Sequence, residues 1–236
     1  MSQLWLSVMH RLRIIEQRTA ILLGLFPTVG ILMLNGFWTA PLFQYSPTLY
    51  WTIDILSHFI VPLIVLYGLA KMYRLYPADY GFIAPGGVTR WADLIGLTLI
   101  VGAMLWISYV PVSAMLGQLF SSELSAFTYF NVLPESGATR VLVGIYFSVS
   151  AGLFEEIMYR ALPWVYFSKL TTARTPVVSY AFVSSILFGF SHWENGVHEI
   201  CATFVLGFVA CMLYAKIRNI WPFVIAHTWI DLTAFL

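Results

Sequence analysis

Long apolar runs separated by short polar stretches make up most of this chain. A transmembrane helix needs about 20 mainly apolar residues, and runs of about that length recur seven times along the sequence. The pattern therefore predicts an all-α fold, a polytopic transmembrane helical bundle of about seven spans, with eight as an alternative. The predicted spans are residues 19–40, 50–72, 92–118, 138–162, 175–192, 197–217 and 219–235.

The amino-acid composition agrees with a membrane protein. Hydrophobic residues make up 60% of the 236 residues and charged residues only 10%, against about a quarter in soluble domains. The mean hydropathy is +0.82. A net charge of +1 argues against nucleic acid as a partner, because phosphate binding needs a concentrated basic face. The lipid bilayer is the expected surrounding.

The basic residues predict the orientation of the chain. Of the 12 Lys and Arg, all except Arg140 lie in the N-terminal segment or in, or at the edges of, alternate connections between the predicted spans. The positive-inside bias places these connections and the N-terminus in the cytoplasm. We expect one membrane domain over 1–236, with N-terminal spans over 1–137 and a core over 138–236, in the inner (plasma) membrane of a bacterium. The basic residues on the cytoplasmic side are Arg11, Arg13, Arg18, Lys71, Arg74, Arg90, Arg160, Lys169, Arg174, Lys216 and Arg218.

Two adjacent glutamates in the fourth predicted span carry the strongest chemical signal. Charges inside a span are costly and are functional unless a partner explains them. Glu156 and Arg160 are four residues apart and can pair on one helix face, whereas Glu155 points about 100° away, with no cation close in sequence. One paired and one free carboxylate suit a structural acid beside a general base. The alternative is that both glutamates only mark the end of the helix at the membrane surface.

Two histidines at later spans add to this signal. Phe188 and His192 are four residues apart in the fifth predicted span, and His227 and Asp231 have the same spacing in the last one. A buried imidazole needs a hydrogen-bond partner, which Asp231 can supply. Each histidine alone could be a satisfied structural residue. Together with Glu155, they form a set that can polarise a water molecule and stabilise an oxyanion.

Other polar residues are candidates for lining the same cavity. Asp54 and His58 are four residues apart in the second predicted span, where they either face this cavity or satisfy each other. The polar turn after the fifth span is expected to be solvated, and it contains Glu194, His198 and Glu199. The candidate cavity-lining residues are Tyr159, Phe188, Asp54 and His58.

The order of three short motifs resembles a known family. Glu-Glu-x-x-x-Arg at 155–160, Phe-x-x-x-His at 188–192 and His-x-x-x-Asp at 227–231 resemble the CAAX protease and bacteriocin-processing family, also called the Abi or type II CAAX prenyl endopeptidase-like family. The resemblance covers residues 138–236. It implies a membrane-embedded endopeptidase that uses a glutamate and no metal or other cofactor. Its substrate would be a membrane-associated peptide or protein, which in eukaryotic members carries a prenylated CAAX C-terminus.

The resemblance also implies a role for each motif residue. Glu155 would be the general base that activates water, with His192 assisting it. His227 would be the donor on the oxyanion-stabilising side, together with Asp231. The supporting residues would be Glu156 and Arg160.

Two features depart from the expected pattern. The last motif of the family ends more often in Asn, and Asp231 cannot donate a hydrogen bond when it is ionised. It would have to be protonated, or act only by orienting His227. In addition, Glu155 is expected near the cytoplasmic end of its span. His192 ends a helix that begins near Pro176, so His192 would lie about 24 Å further along the helix axis than its cytoplasmic start. Either this helix begins deep in the cytoplasm, or the spans tilt around a water-filled funnel.

Three other functions are kept as alternatives. Two histidines and two carboxylates could bind Zn²⁺ with an open position for water, although the sequence has no His-Glu-x-x-His helix. A transporter or membrane scaffold whose acids relay protons is the second alternative. An adaptor that kept the fold without catalysis is the third.

Overall fold

The computed structural model describes residues 3–84, 88–120, 132–169 and 175–236. Within these ranges the chain forms helices and turns, without a strand, so the predicted all-α fold is confirmed. Arg174, one of the basic residues behind the predicted orientation, lies outside the described residues. The α-helices of the described ranges are α1 (Gln3–Tyr45), α2 (Pro47–Ile55), α3 (Val61–Tyr73), α4 (Val88–Leu119), α5 (Gly137–Glu156), α6 (Leu162–Lys169), α7 (Pro176–Phe190), α8 (Val197–Ile217) and α9 (Trp221–Phe235).

Several of these helices have the length and apolar character of membrane spans. Five stretches of the described residues are long and apolar enough to cross a membrane. α7 is an apolar helix of only 15 residues, and α9 has the same length. The chain thus has the helices of an integral membrane protein, while the count of seven spans stays a prediction. The five stretches are Ser7–Ile31, Pro47–Tyr73, Arg90–Leu119, Gly137–Ser168 and Val197–Ile217.

The helix that carries the two glutamates is longer than predicted. α5, a π-helical turn at Ile157–Ala161 and α6 form one continuous stretch that is apolar from Gly137 to Ser168. The predicted end of this span at residue 162 is wrong, because the helix continues through the π-helical turn and α6 to Ser168. Glu155 therefore lies about 20 Å before Ser168, inside the stretch and not at its end.

α7 runs antiparallel to this stretch. The rings of Trp164 and Tyr180 lie 5.2 Å apart, and those of Tyr159 and Phe188 lie 5.1 Å apart. The hydroxyl of Ser184 donates to the carbonyl of Tyr159, within the π-helical turn. From contact to contact, residue numbers rise along one helix and fall along the other, so the two helices are antiparallel. The C-terminal end of α7 therefore lies beside the C-terminal end of α5.

This packing removes the predicted separation between Glu155 and His192. Glu155 precedes Tyr159 by four residues, and His192 follows Phe188 by four. The pairing of Tyr159 with Phe188 therefore brings the two predicted catalytic residues to the same level. Neither a cytoplasmic extension of α7 nor a funnel of tilted spans is needed for them to meet.

A loop from the first half of the chain fixes the start of α9. The 3₁₀ turn Pro77–Tyr80 is followed by Gly81, whose φ is +78°. The Gly81 carbonyl accepts a hydrogen bond from the Ile220 N–H at 2.9 Å, and the Tyr80 carbonyl accepts one from the Tyr214 hydroxyl at 3.0 Å. Gly81 suits this position because its backbone angle disfavours a side chain. Residues before the predicted core thus help to place α9.

α9 also approaches α5 closely at Gly152. A β-carbon at this position would lie 2.9 Å from the Thr228 nitrogen and 3.1 Å from the Val224 carbonyl oxygen, and it would overlap the Thr228 side chain. Only glycine allows the two helix backbones to come this near. The approach places His227, between the two contacted residues, beside the glutamates at the end of α5.

Gly152→Ala is therefore expected to destabilise the protein by about 1–3 kcal/mol, because helix backbone cannot move aside for the new methyl group. Thermal unfolding of the purified protein in detergent measures the effect. The matched control is Gly96→Ala in α4, where nothing lies within 4 Å of the added β-carbon. This control should be neutral or slightly stabilising. Equal unfolding temperatures for the two variants would contradict the close packing at Gly152.

Candidate active site

The predicted site residues come from three elements that meet inside the bundle. Glu155 and Glu156 are the last residues of α5, and His192 leads into the 3₁₀ turn that follows α7. His227 and Asp231 lie one turn apart on α9. Their convergence depends on the antiparallel course of α7 and on the close approach of α9 to α5.

A buried chain of contacts links Arg160, Glu156 and His227. Nε of Arg160 lies 3.2 Å from Oε2 of Glu156, and Nδ1 of His227 lies 2.8 Å from Oε1. Glu156 and Arg160 are both 0% exposed, and the predicted pairing of these two residues on one helix face is confirmed. A carboxylate paired with a guanidinium only accepts hydrogen bonds, so Nδ1 of His227 carries a proton and donates it. Glu156 therefore fixes the orientation of the imidazole.

Arg160 is also covered by an aromatic ring. Its guanidinium carbon lies 4.2 Å from the ring centroid of Phe188. Such a contact stabilises a buried cation through the negative face of the ring. Tyr159 packs against the same ring, and both Tyr159 and Phe188 are buried. The structure thus places these two residues in the core beneath the site, not along an open cavity as predicted.

The other nitrogen of His227 faces two carboxylates. Nε2 lies 3.5 Å from Oδ2 of Asp231 and 3.9 Å from Oε2 of Glu155. Both distances exceed the ~2.7–3.2 Å of a direct N–H···O hydrogen bond. The three side chains are 15%, 25% and 22% exposed in the order His227, Asp231, Glu155, unlike the buried Glu156. All three side chains are therefore partly accessible, and the distances at Nε2 suit a bridging water molecule.

His192 is held at the edge of the site by local contacts. Its Nδ1 lies 2.9 Å from the Phe188 carbonyl oxygen and 3.2 Å from the Ser191 hydroxyl. A carbonyl oxygen only accepts, so Nδ1 is the donor and Nε2 of the neutral ring is an acceptor. The ring packs against that of Phe188 at 4.8 Å. His192 also interacts electrostatically with Asp231, so it lies near the group formed by Glu155, His227 and Asp231.

One histidine contacts both adjacent glutamates. Glu155 and Glu156 leave the helix about 100° apart, and the imidazole of His227 lies between them, with Nδ1 on Glu156 and Nε2 towards Glu155. Asp231, the expected partner for orienting the ring, lies on the open side at Nε2. That expectation is wrong, because the carboxylate fixed by Arg160 occupies the orienting position.

Asp54 and His58 form a separate polar cluster. Nδ1 of His58 lies 3.0 Å from Oδ1 of Asp54, and the Tyr146 hydroxyl donates to Oδ2 at 2.8 Å. Tyr146 precedes Glu155 by nine residues, about 13 Å along α5. Asp54 and His58 thus pair with each other and with Tyr146. The structure does not bring them into the site, so the predicted shared cavity is wrong for these two residues.

A further polar pair beside the site was not predicted. The hydroxyl of Tyr109 in α4 donates to Oε1 of Glu199 at 2.6 Å. Glu199 is half-buried in the first turn of α8, so the prediction that it belongs to a solvated turn is wrong. No local pattern in the sequence indicates this pair, because its members are 90 residues apart.

The arrangement of side chains bears on the zinc alternative. Among the described residues, no group of three His, Cys, Asp or Glu is placed to hold a metal ion. His227 gives its Nδ1 to Glu156, which leaves one nitrogen for other contacts. The zinc alternative is best decided by experiment.

These features define an apolar helical membrane protein in which carboxylates and imidazoles gather inside the bundle. The family model for type II CAAX prenyl endopeptidase Rce1-like proteins matches residues 137–233. The matched segment contains all three motifs, so the resemblance inferred from them is confirmed. At the level of the family, the match indicates a membrane protease. No curated protein and no solved structure matches the chain at a significant level.

The two glutamates are expected to differ in their effect on stability. Glu156→Gln leaves the buried charge of Arg160 uncompensated, which costs about 3–5 kcal/mol. Glu155→Gln changes a partly exposed side chain and should stay within about 0.5 kcal/mol of the wild type. Chemical or thermal unfolding in detergent measures both. If the two variants unfold alike, the pair of Glu156 with Arg160 does not stabilise the bundle.

Proposed function

We propose that this protein is a glutamate-dependent intramembrane endopeptidase. It hydrolyses a peptide bond of a membrane-associated protein or peptide with an activated water molecule. The observation that carries the proposal is the grouping of the partly exposed Asp231 and Glu155 at Nε2 of His227, at 3.5 and 3.9 Å. The family match over residues 137–233 supports the same class of reaction.

Glu155 is the general base in this mechanism. Its carboxylate takes a proton from the water molecule while the water oxygen attacks the peptide carbonyl carbon. Glu155 suits this role because it is partly exposed and lies near the open nitrogen of His227, whereas Glu156 is committed to a buried ion pair. His192 assists by accepting the second hydrogen of the water at Nε2, which orients the water for attack.

His227 stabilises the oxyanion that forms on the peptide oxygen. Its Nδ1 proton is held by Glu156, so a protonated Nε2 can donate to the tetrahedral intermediate. Asp231 lies at the same nitrogen and stabilises the protonated ring before the intermediate forms. The carbon–nitrogen bond then breaks, and the leaving amine takes the proton held by Glu155. The base is thereby restored without a covalent intermediate.

The substrate class in this proposal follows from the family. The name of the matched family refers to prenylated CAAX C-termini, so a prenylated CAAX peptide is the first substrate to test. Any membrane-associated peptide whose scissile bond reaches the site would undergo the same chemistry. We place the protein in a bacterial inner membrane with its N-terminus in the cytoplasm, as the basic connections predict.

Replacement of Glu155 by Gln is expected to abolish cleavage, because an amide cannot take the proton of the attacking water. Loss of general-base catalysis alone corresponds to a decrease of about 100-fold or more. The purified protein in detergent is assayed with a quenched fluorescent peptide that ends in a farnesylated CAAX sequence. Proteomics of cells carrying wild type or Glu155→Gln searches in parallel for a membrane peptide whose cut depends on Glu155.

The matched control is Glu16→Gln, which changes an exposed glutamate in α1 and should cleave like the wild type. Stable Glu155→Gln protein that retains its cellular role, with no peptide whose cleavage changes, would favour a non-catalytic adaptor over a peptidase. Equal cleavage by the wild type and Glu155→Gln would exclude Glu155 as the base.

Cleavage is expected to continue in the presence of a strong chelator, because the proposed mechanism uses only side chains and water. The assay compares untreated protein with protein dialysed against EDTA, at the same detergent and peptide concentrations. Loss of cleavage that returns on addition of Zn²⁺ would replace this mechanism by metal-activated hydrolysis.

A further inference from the structure

A short hydrogen bond ties α4 to the start of α8 beside the proposed site. The Tyr109 hydroxyl donates to Oε1 of Glu199 at 2.6 Å, and both residues are half-buried. Hydrogen bonds to ionised acceptors are shorter and about twice as strong as those between neutral groups. Tyr109 lies outside residues 137–233, the segment that matches the family, so the contact joins the two halves of the chain.

Glu199 stands directly after the turn that carries His192. The 3₁₀ turn Trp193–Asn195 leads through Gly196 into α8, and the Glu199 N–H donates to the Gly196 carbonyl at 3.1 Å. His192 begins this turn. A restraint on the side chain of Glu199 therefore limits how far the turn, and His192 with it, can move away from the site.

The same helix, α4, also contacts the element that carries the second histidine. A β-carbon at Gly102 would lie 3.6 Å from the β-carbon of Ala226, the residue before His227. Tyr109 interacts electrostatically with Asp231, further along α9. α4 thus contacts both α8, which follows His192, and α9, which carries His227.

We propose that Tyr109, acting through Glu199, is a positioning residue that sets the place of His192 relative to His227 and Asp231. It does not touch the reacting atoms. α4 thereby forms part of the site, although it lies outside the segment that matches the family. For catalysis this inference rests on the proposed peptidase function, but the positioning itself can be measured without any substrate.

The first test is hydrogen–deuterium exchange of the full-length protein in detergent. Tyr109→Phe keeps the ring and removes only the donor, so backbone amides in the peptide covering residues 191–199 are expected to exchange about tenfold faster. The matched control is Tyr146→Phe, which removes another hydroxyl donor to a carboxylate, that of Asp54. This control should leave exchange in 191–199 unchanged. Unchanged exchange in Tyr109→Phe, or equal acceleration in the control, would overturn the proposal.

The second test separates positioning from simple packing. With the farnesylated CAAX peptide as substrate, Tyr109→Phe and Glu199→Ala are each expected to lower kcat about tenfold with KM unchanged, and the double variant should be no worse than either. Glu199→Gln keeps an acceptor oxygen and should recover most of this loss. Positioning would be contradicted if kcat fell only in proportion to the fraction of each variant that is folded. It would also be contradicted if the losses in kcat of the two single variants added up in the double variant. If the wild type does not cleave this peptide, the prenylated CAAX substrate is excluded, and the exchange experiment alone decides this inference.

Discussion

The buried ion pair between Glu156 and Arg160 is the constraint on which the site depends. Withdrawing two charges from water is costly, and removing one partner leaves the other uncompensated. The pair is therefore held tightly, and Glu156 in turn holds Nδ1 of His227 at 2.8 Å. Phe188 covers the guanidinium at 4.2 Å and stands one turn before His192. One buried pair of charges thus fixes the imidazole of His227 and lies against the residue that precedes His192 by one turn.

Helix geometry makes this arrangement available inside a membrane. The helix of the glutamates continues past them through the π-helical turn Ile157–Ala161, so that the charges lie within the apolar stretch and meet partners from α7 and α9. Gly152 allows α9 to approach closely enough for His227 to reach between the glutamates. The fold pairs the buried charges of Arg160 and Glu156 with each other and leaves Glu155 and Asp231 partly exposed beside Nε2 of His227.

Sequence analysis predicted the features that depend on the spacing of residues close together in the chain. Apolar runs predicted the helical bundle, and the four-residue spacing predicted the pair of Glu156 with Arg160. Contacts between distant elements could not be read in this way: the bond from His227 to Glu156 joins residues 71 apart, and that from Tyr109 to Glu199 joins residues 90 apart. The length of the span was also missed, because a π-helical turn has no sequence signal comparable to a proline or a glycine.

An experimental structure of the wild-type protein in lipid nanodiscs, at a resolution that shows ordered water, tests the central claim most directly. It should show Nδ1 of His227 on the carboxylate of Glu156. It should also show a water molecule within about 3 Å of both Glu155 and Nε2 of His227. A His227 ring whose Nδ1 faces Asp231, or a Glu155 carboxylate that turns towards the lipid, would contradict the account.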